Sequence, residues 1–266
     1  MPPRRLIHHA DELREIAERQ QLPIDLVERD FVLVSIAALL VEDFPGQLCF
    51  KGGFVLRHVH GHLRLSGDVD TTRTAPPKHK LEAADVRRTI ERAGRTLVRV
   101  RAKDPATDSG LSLDFDRIDY TTENGGKGRV AVEVSYREAV VLEPHEAMIG
   151  APYYEPFAVP VLRPEEIVAE KLRALAQRSR PTDLSDLAWL LERVGAELDD
   201  ALVAELVARK FVPGLVAPGD HQGRVLQQID GFAGVYNDQV PVLAPDAPSY
   251  AAASKLVRAR LARFFS

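Results

Sequence analysis

The sequence predicts an α+β protein, with helices and strands mixed through the first half and helices almost alone in the second. Three observations carry this. Apolar residues at Leu26, Val27, Phe31, Val34, Ile36, Ala37 and Leu40 follow a mostly helical period. Two apolar β segments, Leu111 to Tyr120 and Val130 to Tyr136, flank the hairpin-type loop Glu123-Asn124-Gly125-Gly126-Lys127-Gly128. From Glu165 onward the pattern is helical. The boundary falls near residues 155–163, so residues 1–160 form one part and 161–266 a helical lobe.

The elements follow in order. Asp11 to Gln21 reads as a charged helix, and Pro23 starts a second one running from Asp25 to Val41. Asp43-Phe44-Pro45-Gly46 is a turn signal. Gln47 to Phe50 is a short apolar run ending at Lys51-Gly52-Gly53, and a helix from Phe54 to His60 follows. Leu63 to Thr72 reads as a strand closed by Pro76-Pro77, Lys80 to Ala93 as a helix, and Thr96 to Ala102 as a strand. Helices are expected over Glu165–Gln177, Asp183–Val194, Asp199–Ala208 and Ser249–Phe264. Pro213 to His221 and Val240 to Pro248 read as loops, and no internal repeat is visible.

Composition narrows the class. A hydrophobic share of 45% with 28% charged residues is globular and excludes a disordered tail or a coiled coil. The formal charge of −4 excludes a histone-like basic protein, so any contact with nucleic acid must be local. The single cysteine, Cys49, forms no internal disulfide, lies in an apolar run and suits a reducing compartment. The N-terminus lacks the apolar core of a signal peptide, and the longest apolar stretch, Phe31 to Val41, is far short of the ~20 residues of a membrane helix. A cytoplasmic protein with no membrane contact is expected.

Five groups of residues suggest chemistry. Asp68 and Asp70 are two apart on a strand, so both carboxylates share a face. Close carboxylates repel unless one is protonated or a cation lies between them, and a hard ion such as Mg²⁺ resolves that conflict with substrate phosphate as a further ligand. A lone pair of this kind is more often two exposed strand acids. Lys51-Gly52-Gly53 joins a strand to a helix, where paired glycines admit a close backbone approach to an anion such as a triphosphate. Most Gly-Gly pairs are simple turns, but here the acids follow after one helix and one strand. Glu133 is a candidate third acid and general base, with Asp114 and Asp116 as competitors.

The fourth group lies between Glu165 and Leu191. Lys171 suits a phosphate as a point charge, and its helical neighbours Ile167, Val168, Ala174 and Leu175 offer no acid. Glu170 pairs with Arg173 instead. Thr182 is the expected N-cap of the next helix, where Asp183 and Asp186 lie one turn apart. The fifth group is a basic stripe of Arg87, Arg88, Arg92, Arg95, Arg99, Arg101 and Lys103, opposed between residues 85 and 103 only by Asp85 and Glu91, a local charge of +5. Such a stripe suits an RNA or triphosphate path, and Arg99 and Arg101 share a strand face. The alternative is a solvated helix face. His58, His60 and His62 alternate, but on a helix end and loop they make no metal comb.

In this order the groups resemble the AbiEii family of nucleotidyltransferase toxins, including the MenT group. The matching stretches are Leu26 to Phe31, Phe50 to Leu56, Arg64 to Asp70, Val130 to Val134, Ile167 to Leu175 and Arg180 to Leu187. The resemblance implies a polymerase β-type nucleotidyltransferase core, a mixed sheet with flanking helices, plus a helical C-terminal lobe. It implies Mg²⁺-dependent transfer of a nucleotide from an NTP to RNA, in several members the 3′ end of tRNA, and a cognate antitoxin from a neighbouring gene. Carried over by position, Asp68 and Asp70 hold metal, and Lys51, Gly52, Gly53, Arg64 and Ser66 shape the nucleotide pocket. Lys171 contacts the triphosphate, Asp183 or Asp186 completes the site, and Glu133 is carried over as the third acid. Gly67 stands where the family commonly has a bulky or acidic residue, and Thr182 where it often has a basic one. Transfer to a protein or small molecule, and a silent NTP- or RNA-binding module, are the alternatives.

Overall fold

The apolar period around Phe31 becomes a long helix, Ile24–Asp43, in a computed structural model that describes residues 3–74, 80–95, 97–137, 139–211 and 216–265. Pro76-Pro77, Thr96 and Pro213 lie outside the described residues. The chain divides into two units. The first comprises Met1–Gly61, Leu65–Val140 and Pro144–Val161, and the second His62–Arg64, Val141–Glu143 and Leu162–Ser266.

The first unit runs α1 (Asp11–Gln20), α2 (Ile24–Asp43), β1 (Leu48–Lys51), α3 (Gly52–His58), β2 (Asp68–Arg73) and α4 (Ala83–Arg92). It continues with β3 (Val98–Ala102), β4 (Thr107–Asp108), β5 (Ser112–Thr122), β6 (Lys127–Ser135), β7 (His145–Ile149) and β8 (Phe157–Val161). The strands form one eight-stranded mixed sheet in the order β3-β5-β6-β2-β1-β8-β7, with β4 paired to β5. β2 runs parallel to β6 and antiparallel to β1. Period-2 alternation explains the layering: Val98, Val100, Ile118, Tyr120, Val130, Val132, Val134 and Val69 are buried, while the residues between them on each strand are more exposed. α2 is buried along Phe31 to Ala38 and packs on α1, α4, β2 and β6.

Two carboxylates of α2 lie within this core and are paired, as buried charge requires. Asp30 accepts from Arg57 at 2.9 Å, lies 3.1 Å from His58 Nε2, and accepts from the Tyr153 hydroxyl at 3.1 Å. Burial alone would raise the Asp30 carboxyl, but His58 and Arg57 outweigh it and hold the group below its ordinary value. Glu28 accepts from Thr122 Oγ1 at 2.9 Å. Its carboxylate fills the space a side chain at Gly126 would need, since a Cβ there would lie 2.1 Å from Oε2.

The second unit holds α5 (Pro164–Gln177), α6 (Pro181–Val194), α7 (Asp200–Lys210), α8 (His221–Gly231), α9 (Tyr236–Leu243) and α10 (Tyr250–Phe264). α5 packs on α6, α7 and α8, and α10 closes on α6, α7 and α8. Asp199 caps α7 by accepting from the Ala201 and Leu202 amides, and Ser249 caps α10. Lys210 is buried between Glu166 (2.7 Å) and Glu170 (2.6 Å). Among the described residues, no helix is long and apolar enough to cross a membrane.

The structure shifts several expected boundaries. The strand expected from Leu63 is confined to Asp68–Arg73, because His62–Arg64 belongs to the second unit. The helix expected from Phe54 starts at Gly52. α6 starts at Pro181 with Arg180 as its N-cap, so Thr182 sits inside the first turn; proline's fixed φ suits the first helical position. α8, β7 and β8 are additional elements, and α9 takes up the start of the loop expected from Val240.

Candidate active site

The close approach of Gly52 to Asp70 organises the site in the first unit. Strand β1 ends at Lys51, whose register partner on β2 is Asp70. The chain then turns through Gly52 at φ +72°. A Cβ at Gly52 would lie 2.2 Å from Asp70 Oδ2, so glycine is required by both backbone and space. Gly53 is buried behind it in α3, among Phe54, Val55 and Leu56.

Asp68 and Asp70 project from the same face of β2, both half-buried. Buried Ser66 donates to Asp68 Oδ1 at 2.8 Å, which orients that carboxylate. On β6, Ala131 is the register partner of Asp68 and Glu133 that of Asp70. Glu133 in turn neighbours Asp114 on β5. Asp114, Glu133 and Asp70 therefore form one row of acids across three strands. Glu133 accepts from Arg137 at 2.8 Å. Ser112 donates to Asp114 Oδ2 at 3.0 Å, while Asp114 Oδ1 is buried with no hydrogen-bond partner among the described residues. Asp116 falls in the β-bulge between Phe115 and Ile118, outside this row.

The donor set fits a hard divalent ion. Asp68 and Asp70 provide two carboxylates on one face, next to the Gly52 turn. Mg²⁺ is commonly held by one or two carboxylates with substrate phosphate and water, and among the described residues no three His, Cys, Asp or Glu side chains are gathered to hold a metal. The histidines go elsewhere: His58 to Asp30, and His62 to Asp246 at 3.0 Å with its ring stacked on Trp189. Cys49 is a core residue.

The second unit gathers the other candidates around Asp186. Lys171 donates to Asp186 Oδ2 at 2.7 Å and to Asp183 Oδ1 at 3.2 Å. Arg64 donates to Asp186 at 2.7 Å, and Arg178 to Asp183 at 2.8 Å. The acids that Lys171 lacks on its own helix come from α6. Burial alone would lower the Lys171 ammonium, but Asp186 and Asp183 outweigh it and raise its pKa, so the group is charged at neutral pH. Burial likewise opposes ionisation of Asp183, yet Lys171 and Arg178 hold that carboxyl well below the usual range. His62 titrates below an ordinary histidine because burial outweighs the attraction of Asp186 and Asp246.

The basic stripe splits between two surroundings. On α4, Arg87 pairs with Asp104 at 2.7 Å, Arg88 with Asp85, and Arg92 with Asp43 at 2.7 Å. Arg92 and Arg95 line a cavity of about 260 Å³ with Arg5, Glu42 and Tyr154. Arg99 and Arg101 stand exposed on β3 at one margin of the sheet. The structure thus places Asp68, Asp70, Glu133, Lys51, Gly52, Gly53 and Ser66 together in the first unit. Arg64, Lys171, Asp183 and Asp186 are together in the second.

A mixed sheet with flanking helices that presents paired strand carboxylates beside a glycine turn is what a nucleotidyltransferase requires. Residues 36–235 match the model of the family described as nucleotidyl transferase AbiEii toxin, type IV TA system, and the chain belongs to that family. The fold is shared with MenT4, a nucleotidyltransferase toxin from Mycobacterium tuberculosis H37Rv (TM-score 0.71, 20% identity, 96% of this chain and 89% of that one). It is shared also with JHP933 from Helicobacter pylori (TM-score 0.61, 14% identity, 90% of this chain and 91% of that one). No curated protein matches the sequence. Family membership implies an NTP substrate, a divalent metal and an antitoxin partner.

Proposed function

We propose that this protein transfers a nucleoside monophosphate from an NTP to the 3′ hydroxyl of an RNA, a tRNA in the first instance, with Mg²⁺ as the metal. Pyrophosphate is released, and the protein acts as a cytoplasmic toxin neutralised by the product of a neighbouring gene. The observation that carries the reading is the closure of the Gly52 turn on Asp70, beside Asp68, in an AbiEii-family chain.

Asp68 and Asp70 would hold the metal, and the Ser66 hydroxyl orients the Asp68 carboxylate. A divalent ion bound there neutralises charge on the triphosphate and lowers the pKa of an attacking hydroxyl. Gly52 and Gly53 let the phosphates approach the backbone, and Lys51 lies beside Asp70 to meet them. Glu133 and Asp114 are the two candidates for the third acid; the unpartnered Asp114 Oδ1 supports Asp114, and the direct register with Asp70 supports Glu133. Lys171, with Asp183 or Asp186, is assigned to phosphate contact by resemblance alone: its buried ammonium already pairs with both acids, so the lack of acidic neighbours on its own helix no longer argues for a phosphate.

The test is incubation of the protein with Mg²⁺ and each labelled NTP in turn, in the presence of total RNA or of a protein lysate. Label in small RNAs is expected. Label confined to protein bands rejects the RNA reading, and NTP binding without turnover rejects the enzymatic one.

A further inference from the structure

The outward face of the sheet changes sign along a single strand. On β6, alternate residues share a face, and Lys127, Arg129, Ala131 and Glu133 occupy four successive positions on it. Ala131 and Glu133 border Asp68 and Asp70. At the other end, Arg129 is the register partner of Asp119 on β5, which partners Arg101 on β3. Lys127 is likewise aligned with Thr121, which partners Arg99. Two cross-strand rows thus place Arg129, Arg101, Lys127 and Arg99 on the same face as Asp68 and Asp70, and all four are exposed. The bulge between Phe115 and Ile118 makes this possible, because the extra residue returns Asp119 to the face that Asp114 occupies.

The balance of charge in these rows is one-sided. Asp119 pairs with Arg129 at 3.0 Å and is the only acid in them. Among the described residues, Arg99, Arg101 and Lys127 have no ion-pair partner. The arginines of α4, by contrast, already have acids. The hairpin bearing Lys127 is also fixed in place. Glu28 accepts from Thr122 just before the turn and closes against Gly126, the residue preceding Lys127.

We propose that Arg129, Arg101, Lys127 and Arg99 form a track for the phosphate backbone of a single-stranded RNA acceptor, leading away from Asp68 and Asp70. The proposal rests on the nucleotidyl-transfer reading and extends it to the acceptor's path. Strand spacing supports a polymer over a small acceptor. Arg129 lies about 8 Å from Asp68 along the sheet, and Arg101 about 16 Å, by interstrand steps of ~4.8 Å and residue pairs of ~6.7 Å. A nucleic-acid strand can place a phosphate every ~3.4 Å of its axis, so several phosphates span the track, whereas a mononucleotide reaches only its near end.

The test compares R99A/R101A/K127A with a charge-matched variant, R14A/R19A/R209A, whose arginines are exposed on α1 and α7. Binding of a short fluorescent single-stranded RNA is measured over a range of salt, together with KM for RNA in the transfer assay. Losing three phosphate contacts reduces the salt slope of log K by about 2, at ~0.7 per contact on a single strand. A raised KM for RNA is expected with it, and the charge-matched variant keeps the wild-type slope. Equal slopes and equal KM in both variants overturn the track. If the wild-type protein transfers no label to RNA, the nucleotidyl-transfer reading fails first, and the binding slopes still decide the track.

Discussion

Replacing Gly52 with alanine tests the geometry of the site by adding one methyl group. Two costs follow. The residue sits at φ +72°, where an L side chain is strained by about 1–2 kcal/mol. The added carbon would also lie 2.2 Å from Asp70 Oδ2 and 3.1 Å from the Asp70 Cβ and Cγ. Ordinary carbon contacts are near 3.5 Å, so the Asp70 carboxylate must move by roughly 1 Å. A misplacement of that size costs on the order of 100-fold in rate. Gly46 is the internal control: its φ is +66°, and a Cβ there meets nothing within 4 Å. Gly46→Ala and Gly52→Ala should therefore lose similar stability from strain, a few degrees in Tm. Only Gly52→Ala should lose about 100-fold in labelled-NTP transfer. Equal transfer rates in the two variants refute the claim that Gly52 and Asp70 form one site.

Other consequences are as direct. Lys171→Met leaves Asp183 and Asp186 buried without their shared cation, and should cost about 3–5 kcal/mol in urea unfolding. A loss under about 1 kcal/mol contradicts the pairing. Gly126→Ala forces a Cβ to 2.1 Å from the buried Glu28 carboxylate, and should cost about 1–3 kcal/mol with a weakened β5–β6 hairpin visible in hydrogen exchange. Full protection of that hairpin would count against it. The pH dependence has a definite sign. Asp30 and Asp183 are held below their ordinary values, so the stability they lend is complete above about pH 4 and is lost as pH falls through their lowered folded values. Urea unfolding from pH 7 to pH 3 should show a decline beginning near pH 4 that is smaller in Asp30→Asn, and stability that holds or rises on acidification contradicts the assignment.

Much of the first unit was legible because it follows local rules. The alternation around Val132 and the apolar period around Phe31 each fix an element and its buried face. The Asp68/Asp70 pair and the Gly52-Gly53 turn were readable for the same reason, since spacing alone decides which atoms share a face. What was missed depends on partners distant in sequence. The acids of Lys171 arrive from α6, and Arg87 and Arg92 meet Asp104 and Asp43, so a count over residues 85–103 overstated the free charge of α4. Lys127 and Arg129 are not legible as strand residues because Gly125-Gly126-Lys127-Gly128 reads as loop, whereas β6 already begins at Lys127. α8 and α9 contain Gly223 and Pro241, breakers that tertiary packing of Val225, Ile229 and Val240 overrides.

Asp68 and Asp70 are proposed to carry metal-dependent nucleotidyl transfer to RNA. This role is tested most directly by pyrophosphate release and label transfer from NTP to total RNA, measured with wild type, Asp68→Asn and Asp70→Asn at matched folded fraction. Mg²⁺-dependent label in RNA with stoichiometric pyrophosphate is expected, falling by at least about 100-fold in each variant. Transfer to RNA that persists undiminished in either variant, or wild-type protein that labels no RNA, contradicts it.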